Sequence, residues 1–503
     1  NQTAMGRIME QEQMAPLMED LYGVGAEAFG KRTAQTLDRP HGIAHELGID
    51  LGILAIYLAG VVALGMWVGR NTGSVTDFVV GGRDRPCWLI LFSIVATETS
   101  TVTFLSIPGL AAPAGGNLTF LQITLGYIVG RLGVIFVLLP LYFRGRPFTA
   151  YEVLETRFGT LSRRLVSSLF LLTRNASDAL RLFLTALVLQ IVLGLDLGIS
   201  VIVIGVVTIL YTFIGGARSV IWNDSVQFVI YMLGAVAAAA IIISATPGGL
   251  ETLAVFASDE GKLQVFDFDF SLTKPSMTFW SGVAGGAFLT AATHGTDQLM
   301  VQRYLSAKCQ RDASLSLGFS GVIVFLQFAV FLLIGVALAG FFTQITGPDP
   351  LIRGHGDRLF AYFIVNHMPI GLAGLTLAAV FAAAMSTLSS SLNSSATALI
   401  NDIWMPLRRH ELSQPQQLRA GRKATAVFGV FQITIATWVG VTGTTESTVF
   451  NVLKIAGFAS GPVLGLFLLA VAGSRVKQPA ALMGFVVGVA GLSLAAMETG
   501  LYW

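Results

Sequence analysis

Long apolar runs separated by short polar connections follow one another from about residue 50 to the end of the chain. A membrane-spanning α-helix needs about 20 mostly apolar residues, and the runs have this length. The pattern predicts about 12 transmembrane helices, at 50–69, 87–108, 118–143, 165–193, 197–215, 223–245, 278–301, 314–342, 370–400, 424–442, 448–472 and 480–502. We therefore expect an all-α integral membrane protein with one polytopic domain over residues 49–503, preceded by a polar extension over residues 1–48.

Positive charge divides the predicted loops into two groups. Arginine and lysine are concentrated in the loops at 70–86, 143–164, 215–222, 302–312, 401–423 and 473–479. The opposite loops contain Lys262, Lys274, Arg353 and Arg358. Because positively charged loops resist translocation, we expect the first group to be cytoplasmic and both termini to lie outside the plasma (inner) membrane. The longest external connections, 246–277 and 343–369, are either gates or plain solvated links.

The composition agrees with a membrane protein and disfavours an enzyme. Hydrophobic residues make up 54% of the chain and charged residues 12%, against roughly 25% charged in an ordinary soluble domain. Cys87 and Cys309 are both predicted near the cytoplasmic face, so no disulfide framework is expected. The six histidines have no metal-protease spacing. We expect no enzymatic activity, no cofactor and no nucleic-acid partner.

The stretch "FAAAMSTLSSSLNSSATALINDIW" (381–404), which overlaps the ninth predicted span, has eight hydroxyl side chains between Ser386 and Thr397. Ala383, Ser386, Thr387 and neighbouring serines share one helix face. Small residues allow close helix packing, and serine can bond its own helix carbonyls, which explains two or three of these side chains. The other interpretation is a site for a hard cation, because such ions prefer oxygen ligands.

The second predicted span contains a polar run, "SIVATETSTVTFLSIPG" (93–109). Its β-branched and hydroxyl residues predict a break in the helix, and non-helical backbone is tolerated inside a membrane where it lines a cavity or is buried in protein. The break would free carbonyl groups for an ion. Glu98 is either a functional intramembrane carboxylate or a buried acid paired with an arginine of another helix.

The seventh predicted span, "SGVAGGAFLTAATHGTDQLMVQRYL" (281–305), also makes a poor continuous helix. Its Gly285–Gly286 pair and the run from Thr293 to Asp297 predict an interruption. Each of the two interrupted spans is the first helix of a predicted unit of five helices. Corresponding interruptions in two such units are typical of a transporter built from inverted repeats, whose binding site lies at the middle of the membrane. His294 is either a donor to a substrate or a structural histidine.

Two further charged residues have alternative interpretations. Asp224, in "GGARSVIWNDSVQF", begins the sixth predicted span and is favoured there as a helix N-cap; it could also add charge to a cation site. Arg181 is one turn from Asp178, so the two side chains either pair with each other or leave Arg181 for a substrate carboxylate.

Four segments together resemble the sodium/solute symporter family, which includes sodium-coupled glucose, proline, sialic acid, monocarboxylate and iodide transporters. They are "PFTAYEVLETRFG", "GGARSVIWNDSVQF", "GTDQLMVQRYL" and "FAAAMSTLSSSLNSSATALINDIW". The resemblance covers about residues 50–472. It implies the leucine-transporter fold with two inverted five-helix repeats, 87–245 and 278–472, flanked by extra helices at 50–69 and 480–502.

The resemblance also implies ion and substrate sites. The main sodium site maps to carbonyl groups of Ala96, Thr99 and Ala383 and hydroxyl groups of Ser386 and Thr387. A second sodium site, known from sialic-acid-type members, maps to Asp224, Ser389 and Ser390. The sugar-binding glutamine of the family aligns with Thr103, and the sialic-acid-binding arginine aligns near Asp178, so neither substrate is supported. Substrate candidates by position are Glu98, Ser100, Thr103, Gln122, Arg181 and His294.

The sequence thus predicts a sodium-coupled secondary symporter of a small organic solute that works by alternating access. Na⁺ is the coupling ion, and the lipid bilayer and the solute are the expected partners. The alternative is a transporter-like solute sensor or regulatory membrane module, since such a domain can report a solute instead of moving it.

Overall fold

The computed structural model describes residues 42–145, 147–193, 196–270, 277–346, 356–408, 412–442, 460–472 and 476–499. These residues form helices joined by short connections, with one isolated backbone bridge between Arg85 and Ala307. The helices are α1 Gly42–Gly69, α2 Val75–Val80, α3 Cys87–Glu98, α4 Thr101–Ala111, α5 Leu121–Gly133, π1 Val134–Leu138, α6 Leu139–Gly145, α7 Glu152–Phe158, α8 Thr160–Leu193, α9 Leu197–Ala245, α10 Gly249–Asp259, α11 Phe279–Thr296, α12 Gln298–Leu305, α13 Gln310–Thr346, α14 Gly356–His367, α15 Leu372–Ala398, π2 Leu399–Trp404, α16 Met405–Leu407, α17 Gln414–Val441, α18 Ser460–Ala472 and α19 Gln478–Thr499.

Several of these helices are long and apolar enough to cross a bilayer. Among the described residues there are six: Gly48–Gly69, Leu121–Gly145, Leu197–Ala245, Gln310–Gln344, Leu372–Leu407 and Gln414–Val441. A seventh candidate is the bent pair made by Cys87–Glu98 and the following helix. The all-α, multi-pass class is confirmed, while the number of twelve spans stays a prediction. Residues 448–459 of the eleventh predicted span lie outside the described residues.

The fifth and sixth predicted spans form a single long element, α9, with a bend at Gly216. A straight helix of its 49 residues would measure about 73 Å, more than twice the hydrocarbon thickness of a bilayer. Gly216 has φ 55° and ψ −145°, a conformation that favours glycine. A Cβ atom there would lie 2.4 Å from the carbonyl oxygen of Phe78. The backbone at this point therefore requires glycine.

Both predicted interruptions are present. α3 and α4 meet at Thr99 and Ser100, where the backbone is extended and the chain bends by 67°. α11 and α12 meet at Asp297, which has φ −78° and ψ 123° and caps α12 by accepting a hydrogen bond from Leu299 N at 2.8 Å. The glycines at 285 and 286 do not break α11. A Cβ on Gly286 would lie 2.3 Å from Ile123 O, so this residue allows α11 to pack closely on α5.

α15 is the central helix of the fold. All residues from Thr376 to Ala398 are buried, and α15 packs against α1, α8, α9 and α17. A helix buried on every side is typical of the interior of a large protein. The hydroxyl groups of α15 therefore face protein and not lipid.

The end of α15 that leads to the basic loops is fixed by Asp402. α15 continues directly into π2, which contains this fully buried aspartate. Asp402 accepts hydrogen bonds from Thr149 Oγ1 at 2.6 Å, Arg163 Nε at 2.7 Å and Ser167 Oγ at 3.1 Å. Arg163 also pairs with Glu155 at 2.5 Å. The charged cluster ties α15 to α7 and α8.

Candidate functional site

Oxygen atoms of α3 and α15 meet at the break of the second span. Ser386 Oγ lies 2.9 Å from Ala96 O and 3.1 Å from Ala383 O, and Thr387 Oγ1 lies 3.2 Å from Thr97 O and 3.5 Å from Ala383 O. The α3 carbonyls are in its last turn, where an ended helix no longer supplies amide partners. Neutral oxygens from two helices thus converge, which is the ligand type that suits a hard cation.

The structure brings together four of the five residues predicted for the main sodium site. The side chain of the fifth, Thr99, is hydrogen-bonded elsewhere. Thr99 is the first residue after α3, with φ −84° and ψ 105°, so its carbonyl lies outside the helical ladder. Its side chain bonds Val95 O at 2.9 Å and accepts from Gln327 Nε2 at 2.8 Å and Tyr231 OH at 3.3 Å. These contacts anchor the break to α9 and α13. The carbonyl group of Thr97, which accepts from Thr387 Oγ1, was not predicted as a ligand. The family pattern assigns the carbonyl ligands of this segment to Ala96 and Thr99.

Asp224 lies in a second polar cluster beside the first. Its Oδ2 atom accepts from Ser93 Oγ at 2.7 Å, Thr97 Oγ1 at 3.2 Å and Ser390 Oγ at 3.3 Å. The N-cap interpretation of Asp224 is wrong, because α9 resumes directly after Gly216 and Asp224 lies well inside it. Its side chain is therefore free to reach α3 and α15.

Arg303 is a member of this second cluster that the sequence analysis missed. The sequence placed it in a cytoplasmic loop, whereas it lies in α12 with 1% of its surface exposed. Its Nη2 atom is 3.3 Å from Asp224 Oδ2 and also contacts Ser390 Oγ. Asp224 Oδ1 and the Nε and Nη1 atoms of Arg303 are buried without a hydrogen-bond partner in the described part of the chain. The guanidinium group thus stands where a cation beside Asp224 would bind.

Ser389, the third residue predicted for a second sodium site, has other contacts. Its Oγ atom donates to Ser386 O of the same helix at 3.2 Å. Within the described residues, the hydroxyl groups bonded to Asp224 are those of Ser93, Thr97 and Ser390. The structure therefore joins Asp224 with Ser390 but not with Ser389.

A small cavity adjoins the main oxygen cluster and contains part of the predicted substrate set. It is lined by Ser100, Thr101, Arg181, Thr185, Ala384, Thr387 and Leu388. Thr103 is next to it, since its backbone N donates to Ser100 Oγ at 3.3 Å. Arg181 Nη1 is 3.2 Å from Asp178 Oδ1, but both Asp178 oxygens also bond Arg174, at 2.7 and 2.9 Å. Asp178 is therefore shared, and Arg181 remains 35% exposed at the cavity.

Glu98 and His294 lie in a different cluster, centred on Arg131. Glu98 forms an ion pair with Arg131. Of the two interpretations of Glu98, this contact supports the buried acid that is paired with an arginine of another helix. His294 Nε2 is 3.5 Å from Glu98 Oε2 and 3.3 Å from Arg131 Nη2, and its Nδ1 atom is 2.8 Å from Tyr304 OH. These contacts join α3, α5, α11 and α12. Both predicted substrate residues are thus engaged by protein groups.

Gln122, also predicted to bind substrate, fastens the segment at 262–270, which follows α10, to α5. Its Nε2 atom donates to Thr119 O at 3.0 Å and Met277 O at 3.2 Å, and its Oε1 atom accepts from Asp267 N at 2.9 Å. All hydrogen-bonding atoms of this amide side chain face backbone groups. The structure does not bring it to the cavity of Ser100 and Arg181.

Lys262 fastens the same segment to the end of α4. Its ammonium group donates to the carbonyl oxygens of Ala111, Ala112, Pro113 and Gly116 at 2.8–3.3 Å. Burial lowers the pKa of this lysine. The last carbonyls of α4, which have no intrahelical donor, are satisfied in this way. Residues 262–270 are thus attached to the ends of α4 and α5, and we name them the cover.

Replacing Lys262 with methionine is expected to loosen this cover. Hydrogen bonds to a charged group contribute about 1.5–3 kcal/mol each, so their loss should speed amide hydrogen exchange at Leu118 and Asp267 severalfold or more. The two amides bond Gln264 O and Gln122 Oε1. Lys308→Met, at an exposed lysine elsewhere, is the control. Unchanged exchange in Lys262→Met would contradict the fixed cover.

The model of one family, the sodium:solute symporter family, matches residues 78–488. The chain belongs to this family. It is 30% identical to the sodium/sialic acid symporter SiaT of Proteus mirabilis (strain HI4320), over 88% of this chain and 89% of SiaT. It is 27% identical to the human sodium/iodide cotransporter, over 90% of this chain and 70% of that protein.

A solved structure supports the same grouping. A Na⁺-coupled sialic acid symporter in a substrate-bound, outward-open state superposes with a TM-score of 0.81, at 28% identity, over 90% of this chain and 93% of that chain. The predicted family and the predicted class of function, sodium-coupled symport of a small solute, are confirmed. The sensor alternative has no support among these relatives, which are transporters and not enzymes.

Proposed function

We propose that this protein is a secondary active symporter that moves Na⁺ together with a small organic solute carrying a negatively charged group. Transport follows alternating access in a leucine-transporter fold of about 12 spans, with inverted repeats at 87–245 and 278–472. The excess of basic residues on one set of loops supports a plasma (inner) membrane orientation with both termini outside.

The observation that carries the proposal is the joint between α3 and α15. Ser386 Oγ lies 2.9 Å from Ala96 O, and Thr387 belongs both to this oxygen cluster and to the cavity lining. An ion bound by Ala96, Thr99, Ala383, Ser386 and Thr387 would therefore order one wall of the cavity. Sodium binding and solute binding would support each other through the shared residue.

Ligands whose positions depend on the conformation of the protein are suited to coupling sodium binding to transport. A ligand shifts an equilibrium between two states by its difference in affinity for them. The proposed sodium ligands come from two separate helices, so a movement of α3 away from α15 dismantles the site without breaking either helix. Sodium would stabilise the state in which the helices are together and would leave when they part.

Asp224 and Ser390 are the proposed core of a second sodium site, with Ser389 joining it after a rotation of its side chain. Arg303 contacts both Asp224 and Ser390. A second sodium ion therefore requires Arg303 to withdraw. In this proposal the guanidinium group neutralises the buried carboxylate whenever the ion is absent.

Arg181 is the proposed partner of the negative group of the solute, with Ser100 and Thr103 as neighbouring polar contacts. Arg181 is the cation that lines the cavity, and its carboxylate partner is shared with Arg174. Glu98, Gln122 and His294 are assigned structural roles, because their polar atoms are used by other protein groups.

Uptake into proteoliposomes tests the proposal. Carboxylates, sugars and amino acids are first screened for thermal stabilisation with and without sodium, because a ligand that binds the folded state raises its stability. A solute found in this way is expected to accumulate under an inward sodium gradient and not under an equal potassium gradient. Arg181→Gln should raise the KM for an anionic solute. Uptake indifferent to sodium would contradict the proposal, and sodium-dependent binding without uptake would favour a sensor.

A further inference from the structure

Four exposed aromatic side chains lie on the segment at 262–270 and at the start of α11. In "QVFDFDF" (264–270) phenylalanine alternates with aspartate, and alternate residues of an extended chain point to the same side. Phe266, Phe268 and Phe270 are 48%, 61% and 77% exposed, and Trp280 is 50% exposed. Phe266 stacks on Phe268 at 5.5 Å between ring centroids, and Phe270 meets Trp280 at 6.2 Å. We name these four residues the aromatic ridge.

The ridge is held firmly by the protein. Phe279 N donates to Asp267 O at 2.6 Å, and Trp280 Nε1 donates to Phe268 O at 3.3 Å. Asp267 N is bonded to Gln122, at the start of α5. The segment is thus attached to the ends of both α5 and α11. Its aromatic groups are exposed in a fixed arrangement and not because the segment is loose.

The ridge continues an apolar face that points away from the protein. α11 exposes Trp280, Ala284 and Phe288 at intervals of four residues, which places them on one side of the helix. α11 packs along α5, which belongs to the membrane-span candidate Leu121–Gly145. The exposed apolar face of α11 thus lies beside a candidate membrane span, and the ridge lies at its end.

We propose that the aromatic ridge inserts into the headgroup region of the outer lipid leaflet. Tryptophan concentrates at membrane–water interfaces because it combines an apolar body with a polar N–H group, and phenylalanine is found on the apolar faces that are buried at the boundary between headgroups and acyl chains. An exposed apolar patch of this kind would favour aggregation if it faced water. Asp267 and Asp269 alternate with the ridge residues, which places them on the opposite side of an extended segment. The cover that Lys262 and Gln122 fasten is thereby anchored to lipid as well.

Spin-label accessibility in lipid nanodiscs tests the insertion. In a Cys87→Ser, Cys309→Ser background, a nitroxide is attached at Phe268→Cys or Phe270→Cys, and collision rates with oxygen and with a water-soluble nickel chelate are measured. Phe288→Cys is the lipid reference and Glu260→Cys, at an exposed residue after α10, is the aqueous reference. We expect oxygen-to-nickel ratios at 268 and 270 severalfold above that at 260 and approaching that at 288.

Two results would overturn the inference. A ratio at both ridge positions equal to that at 260 would show that the ridge faces water. Low collision rates with both reagents at both positions would show that another protein, or a second copy, covers it. Using two positions guards against misfolding of one variant, and each labelled protein is checked for sodium-dependent thermal stabilisation before measurement.

Discussion

Ser386→Ala is expected to raise the sodium concentration for half-maximal uptake by about 10- to 100-fold. The substitution removes a hydroxyl oxygen that lies between Ala96 O and Ala383 O. An interaction between a charge and a hydrogen-bonding group is worth about 1.5–3 kcal/mol, and about 1.4 kcal/mol corresponds to a factor of ten in affinity. The measurement is initial uptake rate against sodium concentration in proteoliposomes.

Ser394→Ala is the matched control for this prediction. Ser394 is a buried serine of the same helix, and its Oγ atom donates to Ser391 O at 3.1 Å within α15. The control is expected to leave the sodium dependence unchanged. Equal effects of the two substitutions, or a normal sodium dependence in Ser386→Ala, would remove the α3–α15 joint from the transport mechanism.

Breaking the Asp224–Arg303 pair from either side is expected to destabilise the protein strongly. The side chains are 0% and 1% exposed, and removal of one partner of a buried ion pair costs about 3–5 kcal/mol because the other charge remains buried. Asp224→Asn and Arg303→Met should each lower the thermal stability. The double variant should recover most of the loss, since it leaves no unpaired charge. If Asp224 binds a second sodium ion, the double variant should also show a Hill coefficient of one.

A pair with one exposed member supplies the comparison. Asp84 is 62% exposed, while its partner Arg85 is 9% exposed, and solvent screens an ion pair of which one member is exposed. Asp84→Asn should therefore lower the stability less than Asp224→Asn does. The buried-pair interpretation is contradicted if Asp224→Asn costs no more than Asp84→Asn. It is also contradicted if the losses of the two single variants simply add in the double variant.

The parts of the site that could be predicted from the sequence are those in which polar residues interrupt an apolar helix. Hydroxyl groups in α15 and the polar run after Ser93 are unusual inside apolar helices, so each is visible without knowledge of the rest of the chain. The break at Thr99 followed from the same run. The break in the seventh span was predicted at its glycines as well, but it occurs at Asp297 alone, because Gly286 is needed for contact with α5.

Contacts between distant residues could not be predicted in the same way. Arg303 and Asp224 are 79 positions apart, and the basic residues near Arg303 made it resemble a loop cation. Its burial depends on α12 folding against α15. The Glu98–Arg131 pair was one of two open alternatives, and tertiary packing decides between them. The role of Gln122 depends on the path of the segment at 262–270, which no local pattern indicates.

π2 has a mechanical consequence for the helix that precedes it. A π turn pairs each amide with a carbonyl one residue farther back than an α turn does, and such turns occur often at functional sites. Transfer of one hydrogen bond between these two acceptors would rotate the serine-bearing part of α15 relative to α3. Asp402 lies within π2, and its cluster holds this turn against α8. A change of hydrogen-bond register by one residue would thus turn the oxygen atoms away from α3 while α15 stays helical.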